Sequence, residues 1–414
     1  MIDGSADWKL VRVEDYEKFI GPEPVERMLA KAGALRGFHV THINSTYYGG
    51  GVAELLSSLT LLMNGLGIQT GWRVLQGAPE FFGITKHMHN ALQGKPFEFS
   101  PVKQRIYEEI VFQNSIRNHL DHDMVIVHDP QPLPMIMHYK KQAPWVWRCH
   151  IDLSNPNRAL WDYLAPLVGR YDAAIFSIKE YAQKLKIPQV FMLPAIDPFS
   201  SKNSDLSERE MDDRLAHYSI PTDLPIVTQI SRFDPWKDPM GVIEAFQIAR
   251  RECPATLVLL GNFASDDPEG AEIYESLLAS RDERILILPN GDDTALVNTL
   301  QRRAAVVLQK SLREGFGLTV TEAMWKGTPV IGGNVGGIRY QIQDGVNGFL
   351  VSSVDEAAQR IVHLLKNPRE REEMGKRARD TVCEKFLMTR YLEQYLDLFG
   401  SFETCFRYKN DPNR

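Results

Sequence analysis

The chain has 414 residues, more than one hydrophobic core usually serves, so two domains are expected. Its 43% hydrophobic and 24% charged content is that of a soluble globular protein, and a formal net charge of −6 without a long basic run argues against a nucleic-acid partner. No apolar run approaches the ~20 residues of a membrane span, the N-terminus lacks the pattern of a secretory signal, and the four scattered cysteines show no Cys-x-x-Cys spacing. A cytoplasmic protein is expected, without integral membrane contact, disulfide framework or zinc site.

In chain order, a helical stretch at 25–34 precedes apolar runs at 38–43, 70–75, 124–127, 146–150, 173–177 and 190–193, each short enough for a buried strand. A second set falls at 226–230, 256–260, 285–288, 306–308 and 330–331. Helical stretches separate the runs, which is the pattern of βαβ units and parallel sheets. Two such sets predict two doubly wound domains, 1–200 and 201–385, with the polar segment 197–214 as linker. The tail after Pro368 reads as helix, with Met374, Ala378, Val382, Phe386, Tyr391 and Tyr395 on roughly one apolar face; residues 386–414 form the terminal piece. His87-x-His89 and His119-x-x-His122 have no nearby cysteine partners and read as solvated surface histidines.

Ligands of open α/β sheets bind beyond the carboxyl ends of the strands, and the distinctive motifs fall there. The first run ends in Asn44-Ser-Thr-Tyr-Tyr-Gly49-Gly50-Gly51-Val-Ala-Glu54, where three glycines admit close approach to the backbone and a helix N-terminus follows. The motif is not Gly-x-Gly-x-x-Gly, which disfavours a nicotinamide cofactor. Val127-His128-Asp129-Pro-Gln131 closes another run as either an acceptor-side site or a tight polar turn. Trp145-Val-Trp-Arg-Cys-His150-Ile-Asp152 leads into a polar turn through Asn155. Ser231-Arg232-x4-Lys237 places two cations after the first strand of the second domain, where they can clamp a diphosphate. Gly261-Asn262-Phe263 ends the next strand. The following Asp266-Asp267-Pro-Glu269 does not form an Asp-x-Asp metal motif.

The most specific stretch is Ser311-Leu-Arg313-Glu314-Gly315-Phe316-Gly317-Leu318-Thr319-Val-Thr-Glu322. Two carboxylates eight positions apart, read as two helical turns apart, cannot share a proton but can hold hydroxyls at the two ends of a sugar nucleotide. The stretch resembles the Glu-x7-Glu signature of retaining glycosyltransferases with two facing Rossmann-like domains (the GT-B architecture, glycosyltransferase family 4). The motifs at 44–54, 127–132, 147–152 and 232–237 are most similar to the trehalose glycosyltransferring synthase group, and the resemblance covers nearly the whole chain.

That resemblance implies an interdomain cleft and a final helix that returns to the first domain. It implies transfer of glucose from a nucleoside diphosphate, with ADP, UDP or GDP as carrier, to free glucose, forming trehalose with the α configuration kept. Glu314 would hold the donor sugar and Glu322 the ribose, while Arg232, Lys237 and the backbone of Gly315, Phe316, Gly317, Leu318 and Thr319 stabilise the leaving diphosphate. Arg313 joins this donor loop. His150 would position the sugar through its hydroxymethyl group, Gly49, Gly50 and Gly51 would lie against diphosphate and sugar, and Gly261 near the nucleobase. Asp152 and Asn155 would bind the acceptor. No tightly bound cofactor is implied, although a divalent cation such as Mg can accompany the nucleotide; a homodimer is left open. The alternatives are a trehalose phosphorylase, a sucrose-type synthase, a sugar-nucleotide epimerase or hydrolase, and a non-catalytic binding module.

Overall fold

A computed structural model describes residues 10–48, 50–262, 268–289 and 293–409. The first sheet contains β1 (His39–Asn44), β2 (Gln69–Val74), β3 (Met124–His128), β4 (Trp145–Arg148), β5 (Ala173–Phe176) and β6 (Gln189–Phe191) in the order β2-β1-β3-β4-β5-β6. The second contains β7 (Ile226–Arg232), β8 (Thr256–Asn262), β9 (Ile285–Pro289), β10 (Ala304–Gln309), β11 (Val330–Gly333) and β12 (Phe349–Val351) in the order β12-β11-β10-β7-β8-β9. Every pairing within these sheets is parallel. The fold is thus α/β with two doubly wound units. Strand order reverses between β1 and β3 in one sheet and between β7 and β10 in the other, and a crevice opens at such a switch point.

The strands read as apolar runs because helices cover both faces of each sheet. All five residues of β3 are buried, as are the four of β4. One face of the first sheet packs Val127, Trp147 and Phe176 against Phe81, Tyr107 and Trp161. Its other face packs Val40, Ile126 and Val146 against Leu59, Tyr395 and Phe399.

Two features of the second half differ from the sequence reading. The segment 197–214 runs into the helix Glu208–His217, started by a capping box in which Ser207 and Glu210 satisfy each other's backbone N–H groups. The single apolar face read along the tail belongs to two helices, Pro368–Lys385 and Met388–Lys409, broken at Phe386 and Leu387. Ala378, Val382 and Phe386 join the second domain's core, whereas Tyr391 and Tyr395 join the first's. The chain passes between domains twice at one place: the Ile196 N–H donates to the Phe386 carbonyl at 2.8 Å, and the Met388 N–H to the Ile196 carbonyl at 2.9 Å.

His122 also departs from its reading as a solvated residue. It is 8% exposed, packs against His39 with ring centroids 4.1 Å apart, and its pKa is driven down to about 4, chiefly by burial. His87 and His119 are exposed.

Candidate active site

The loop after β10 lies against strand ends of the first domain. A methyl group built on Gly315 would sit 2.7 Å from the His150 carbonyl oxygen, so only glycine lets the two backbones approach this closely. Gly317 has φ +84° and turns the chain into the helix Leu318–Trp325. Glu314 is therefore in the loop, off the helix that carries Glu322; the expected two-turn spacing along one helix does not hold, because the glycine turn intervenes. Across the same contact, a methyl on Gly51 would meet the Leu318 side chain at 2.9 Å. The Tyr181 hydroxyl, from the first domain, lies 2.9 Å from the Glu314 carbonyl and 3.0 Å from that of Gly315. Arg313 donates to the Gln93 carbonyl and stands over the Trp236 ring at 5.5 Å.

Glu314 and Lys237 form the polar centre of this contact. Lys237 Nζ lies 2.6 Å from Glu314 Oε2, with the two side chains 17% and 9% exposed. Gln309 Nε2 and Ser311 Oγ donate to the same oxygen at 3.3 and 3.2 Å. Lys237 is held by its backbone as well: its carbonyl accepts from Gln229 Nε2 at 2.7 Å, and Asp234 caps the turn through the Trp236 N–H at 2.8 Å. Arg232, at the end of β7, remains 40% exposed, with Asp234 3.7 Å away. Arg232 and Lys237 bring two cations to the end of β7, one exposed and one held against Glu314 in the loop whose glycine turn starts a helix, an arrangement that can accept an anion.

Glu322 is buried. Its Oε2 accepts from Gln301 Nε2 at 3.1 Å, and Lys202 Nζ lies 3.6 Å from Oε1. Lys202 also pairs with Glu54, on the helix that follows the first glycine loop, so one ammonium joins carboxylates of both domains. Those carboxylates raise its proton affinity above the ordinary lysine range, against the opposing effect of burial. Sequence reasoning missed Lys202 because it lies in the polar connection, far from either partner in the chain.

On the first domain, Asp129 adopts φ +62° and accepts the His150 N–H at 2.7 Å; burial pushes its carboxyl up to about 7 even though that bond opposes the shift. The stretch after β3 is thus a tight turn that anchors His150. The Asp152 carboxylate accepts the Ser154 N–H at 2.9 Å and is largely buried, whereas Asn155 is exposed. A methyl on Gly261 would lie 2.6 Å from the Phe233 ring, so local packing already requires glycine there. Phe316 is buried beside Phe386, and Thr319 is partly buried in the first turn of its helix. Gly50 has φ +147°, a backbone conformation that suits glycine. Gly49, Phe263, Asp266, Asp267 and the Glu269 side chain lie outside the described residues.

Sequence reasoning also missed how His42 and His128 bear on His150. His42 pairs with Ile126 across β1 and β3, and His128 with Arg148 across β3 and β4. Each histidine therefore stands two residues beyond the partner of the preceding one, on the same side of the sheet. Strand register would have revealed this series.

Two doubly wound, all-parallel domains that meet at a loop beyond their strand ends have the architecture of glycosyltransferases of the GT-B type, and comparison with known proteins places the chain among them. The family described as Trehalose synthase, N-terminal domain, matches residues 42–183, and Glycosyl transferases group 1 matches residues 211–381. The trehalose synthase of Pyrococcus horikoshii is 45% identical over 399 residues, covering 94% of this chain and 96% of its own. The trehalose phosphorylase of Pleurotus pulmonarius is 26% identical over 405 residues, covering 84% of this chain and 54% of its own. HepE of Anabaena, solved in complex with UDP and glucose, shares the fold with a TM-score of 0.67 at 17% identity, covering 87% of this chain and 99% of that one. The chain belongs to the trehalose synthase family.

Proposed function

We propose that this protein transfers glucose from a nucleoside diphosphate to the anomeric hydroxyl of free glucose, keeping the α configuration and forming trehalose. The observation that carries this reading is the Lys237–Glu314 pair, beside Arg232 and the glycine turn at the domain contact. Breaking the bond between glucose C1 and the diphosphate oxygen develops negative charge on the leaving group, and Arg232, Lys237 and the backbone N–H groups after Gly315 stabilise it. The acceptor oxygen bonds to C1 on the same face, and its proton passes to the departing phosphate. Glu314 holds hydroxyls of the transferred sugar, Glu322 those of the ribose, and His150 the hydroxymethyl group. Asp152 and Asn155 face the acceptor. Closure of the domains excludes water and suppresses hydrolysis.

The likeness to trehalose phosphorylases supports a second reading, in which inorganic phosphate replaces the nucleotide. Incubation of the enzyme with ADP-, UDP- or GDP-glucose separates the two. Release of nucleoside diphosphate that requires added glucose supports the synthase. Phosphate-dependent breakdown of trehalose to glucose 1-phosphate, with no nucleotide present, supports the phosphorylase and refutes the first reading.

A further inference from the structure

Three imidazoles run end to end through the first domain toward the cleft. His42 Nδ1 lies 2.9 Å from His128 Nε2, and His128 Nδ1 lies 2.9 Å from His150 Nε2. The rings of His128 and His150 are within 15° of parallel and those of His42 and His128 within 34°, so each nitrogen meets the next ring near its plane. His42 and His128 are 0% and 1% exposed, whereas His150 is partly exposed at the domain contact. Burial holds all three well below the ordinary histidine range, with His42 at about 3, so each ring is neutral near pH 7.

A neutral imidazole carries one N–H and one lone pair. Two successive N···N bonds therefore work only if all three protons point the same way along the chain. The far end selects the direction. His42 Nε2 is buried with no hydrogen-bond partner among the described residues, and Tyr395 meets the His42 ring edge to face, with centroids 5.8 Å apart. An orphaned buried N–H is rarer than an orphaned acceptor, so the lone pair belongs at that end. His42 Nδ1–H then donates to His128, His128 Nδ1–H donates to His150 Nε2, and His150 is left with its proton on Nδ1.

We propose that His42 and His128 are positioning residues that lock His150 in the Nδ1–H tautomer, so that it presents a fixed hydrogen-bond donor to the transferred sugar. The role given to the sugar rests on the proposed glucosyl transfer; the chain itself does not. Its function is preorganisation: a ring already oriented and already protonated on the correct nitrogen loses no free energy to flipping or tautomer exchange when the donor sugar arrives.

Histidine-selective nitrogen-15 labelling reads the tautomer of each ring, with the His150 signals identified by their loss in His150→Gln. The wild type is expected to show all three rings neutral with the proton on Nδ1. His42→Phe keeps an aromatic ring but removes the end of the chain, and should make His150 a mixture of tautomers. Its kcat with a nucleotide-glucose donor should fall about tenfold, the scale of one compromised hydrogen bond. Its affinity for the free nucleoside diphosphate, which carries no sugar, should be unchanged. An Nε2–H tautomer of His150 in the wild type overturns the proposal, as does a His42→Phe variant with wild-type tautomer and kcat. If the wild type transfers no sugar, the functional reading fails separately, and the nitrogen shifts of the unmutated protein still decide the chain.

Discussion

Replacing Lys237 by Met tests the polar centre while keeping most of the side-chain stem. Lys237 Nζ lies 2.6 Å from a carboxylate oxygen of Glu314 in a pair that is mostly buried. Removing one member of a buried pair typically costs ~3–5 kcal/mol, because the remaining charge is left uncompensated. Gln309 and Ser311 still donate to that oxygen, so the loss here should fall near the low end, about 3 kcal/mol. The rate effect is separate. Losing one preorganised charge stabiliser costs ~10²–10³ in turnover, and Lys237→Met should show that loss in assays at saturating nucleotide-glucose. Adding Glu314→Gln removes the orphaned charge, so the double variant should regain most of the unfolding midpoint but not the rate. A double variant that recovers the rate would mean that Lys237 acts only by neutralising Glu314. A single variant with a near-normal rate would remove Lys237 from the diphosphate site altogether.

Gly315→Ala places a methyl 2.7 Å from the His150 carbonyl across the domain contact. Transfer should fall at least tenfold while the thermal midpoint changes little, and an unchanged rate would show that the two backbones need not approach so closely. Glu322→Ala removes a buried acceptor held by Gln301 and Lys202, and calorimetry should show weakened nucleoside diphosphate binding with little change in the apparent Michaelis constant for glucose. Unchanged nucleotide affinity would take Glu322 out of the ribose site. For pH, His42 in the folded chain titrates at about 3, below the ~6.5 of an unfolded histidine. The unfolded state therefore binds the proton first as pH falls, so the stability from neutral His42 is complete above about 6.5 and is lost toward pH 3. Between pH 7 and 5, the urea midpoint of His42→Phe should fall less than that of the wild type; equal falls would refute the assignment.

β3 could be located because all five of its residues are buried between two helical layers, which leaves an unbroken apolar run. β12 escaped notice because Phe349-Leu-Val351 is three residues long and follows a glycine turn, too short for any periodicity. The tail misled for a related reason: a helical period continues across the break at Phe386 and Leu387, although the two helices face different cores. Within the site, residues carried by local motifs, such as His150, Lys237 and Glu314, could be singled out from the chain alone. Lys202, Tyr181 and the Gly51–Leu318 contact could not, since they depend on how one domain sits on the other. His42 and His128 lie between these cases, because each is conspicuous only once the register of β1, β3 and β4 is known.

The proposed glucosyl transfer is read out in its product. The protein should be incubated with each nucleotide-glucose and free glucose, and the mixture examined by proton NMR. α,α-1,1-Linked trehalose should form in step with nucleoside diphosphate and be absent when either substrate is withheld. A different disaccharide, a product with inverted anomeric configuration, or trehalose formed only from glucose 1-phosphate would contradict that transfer.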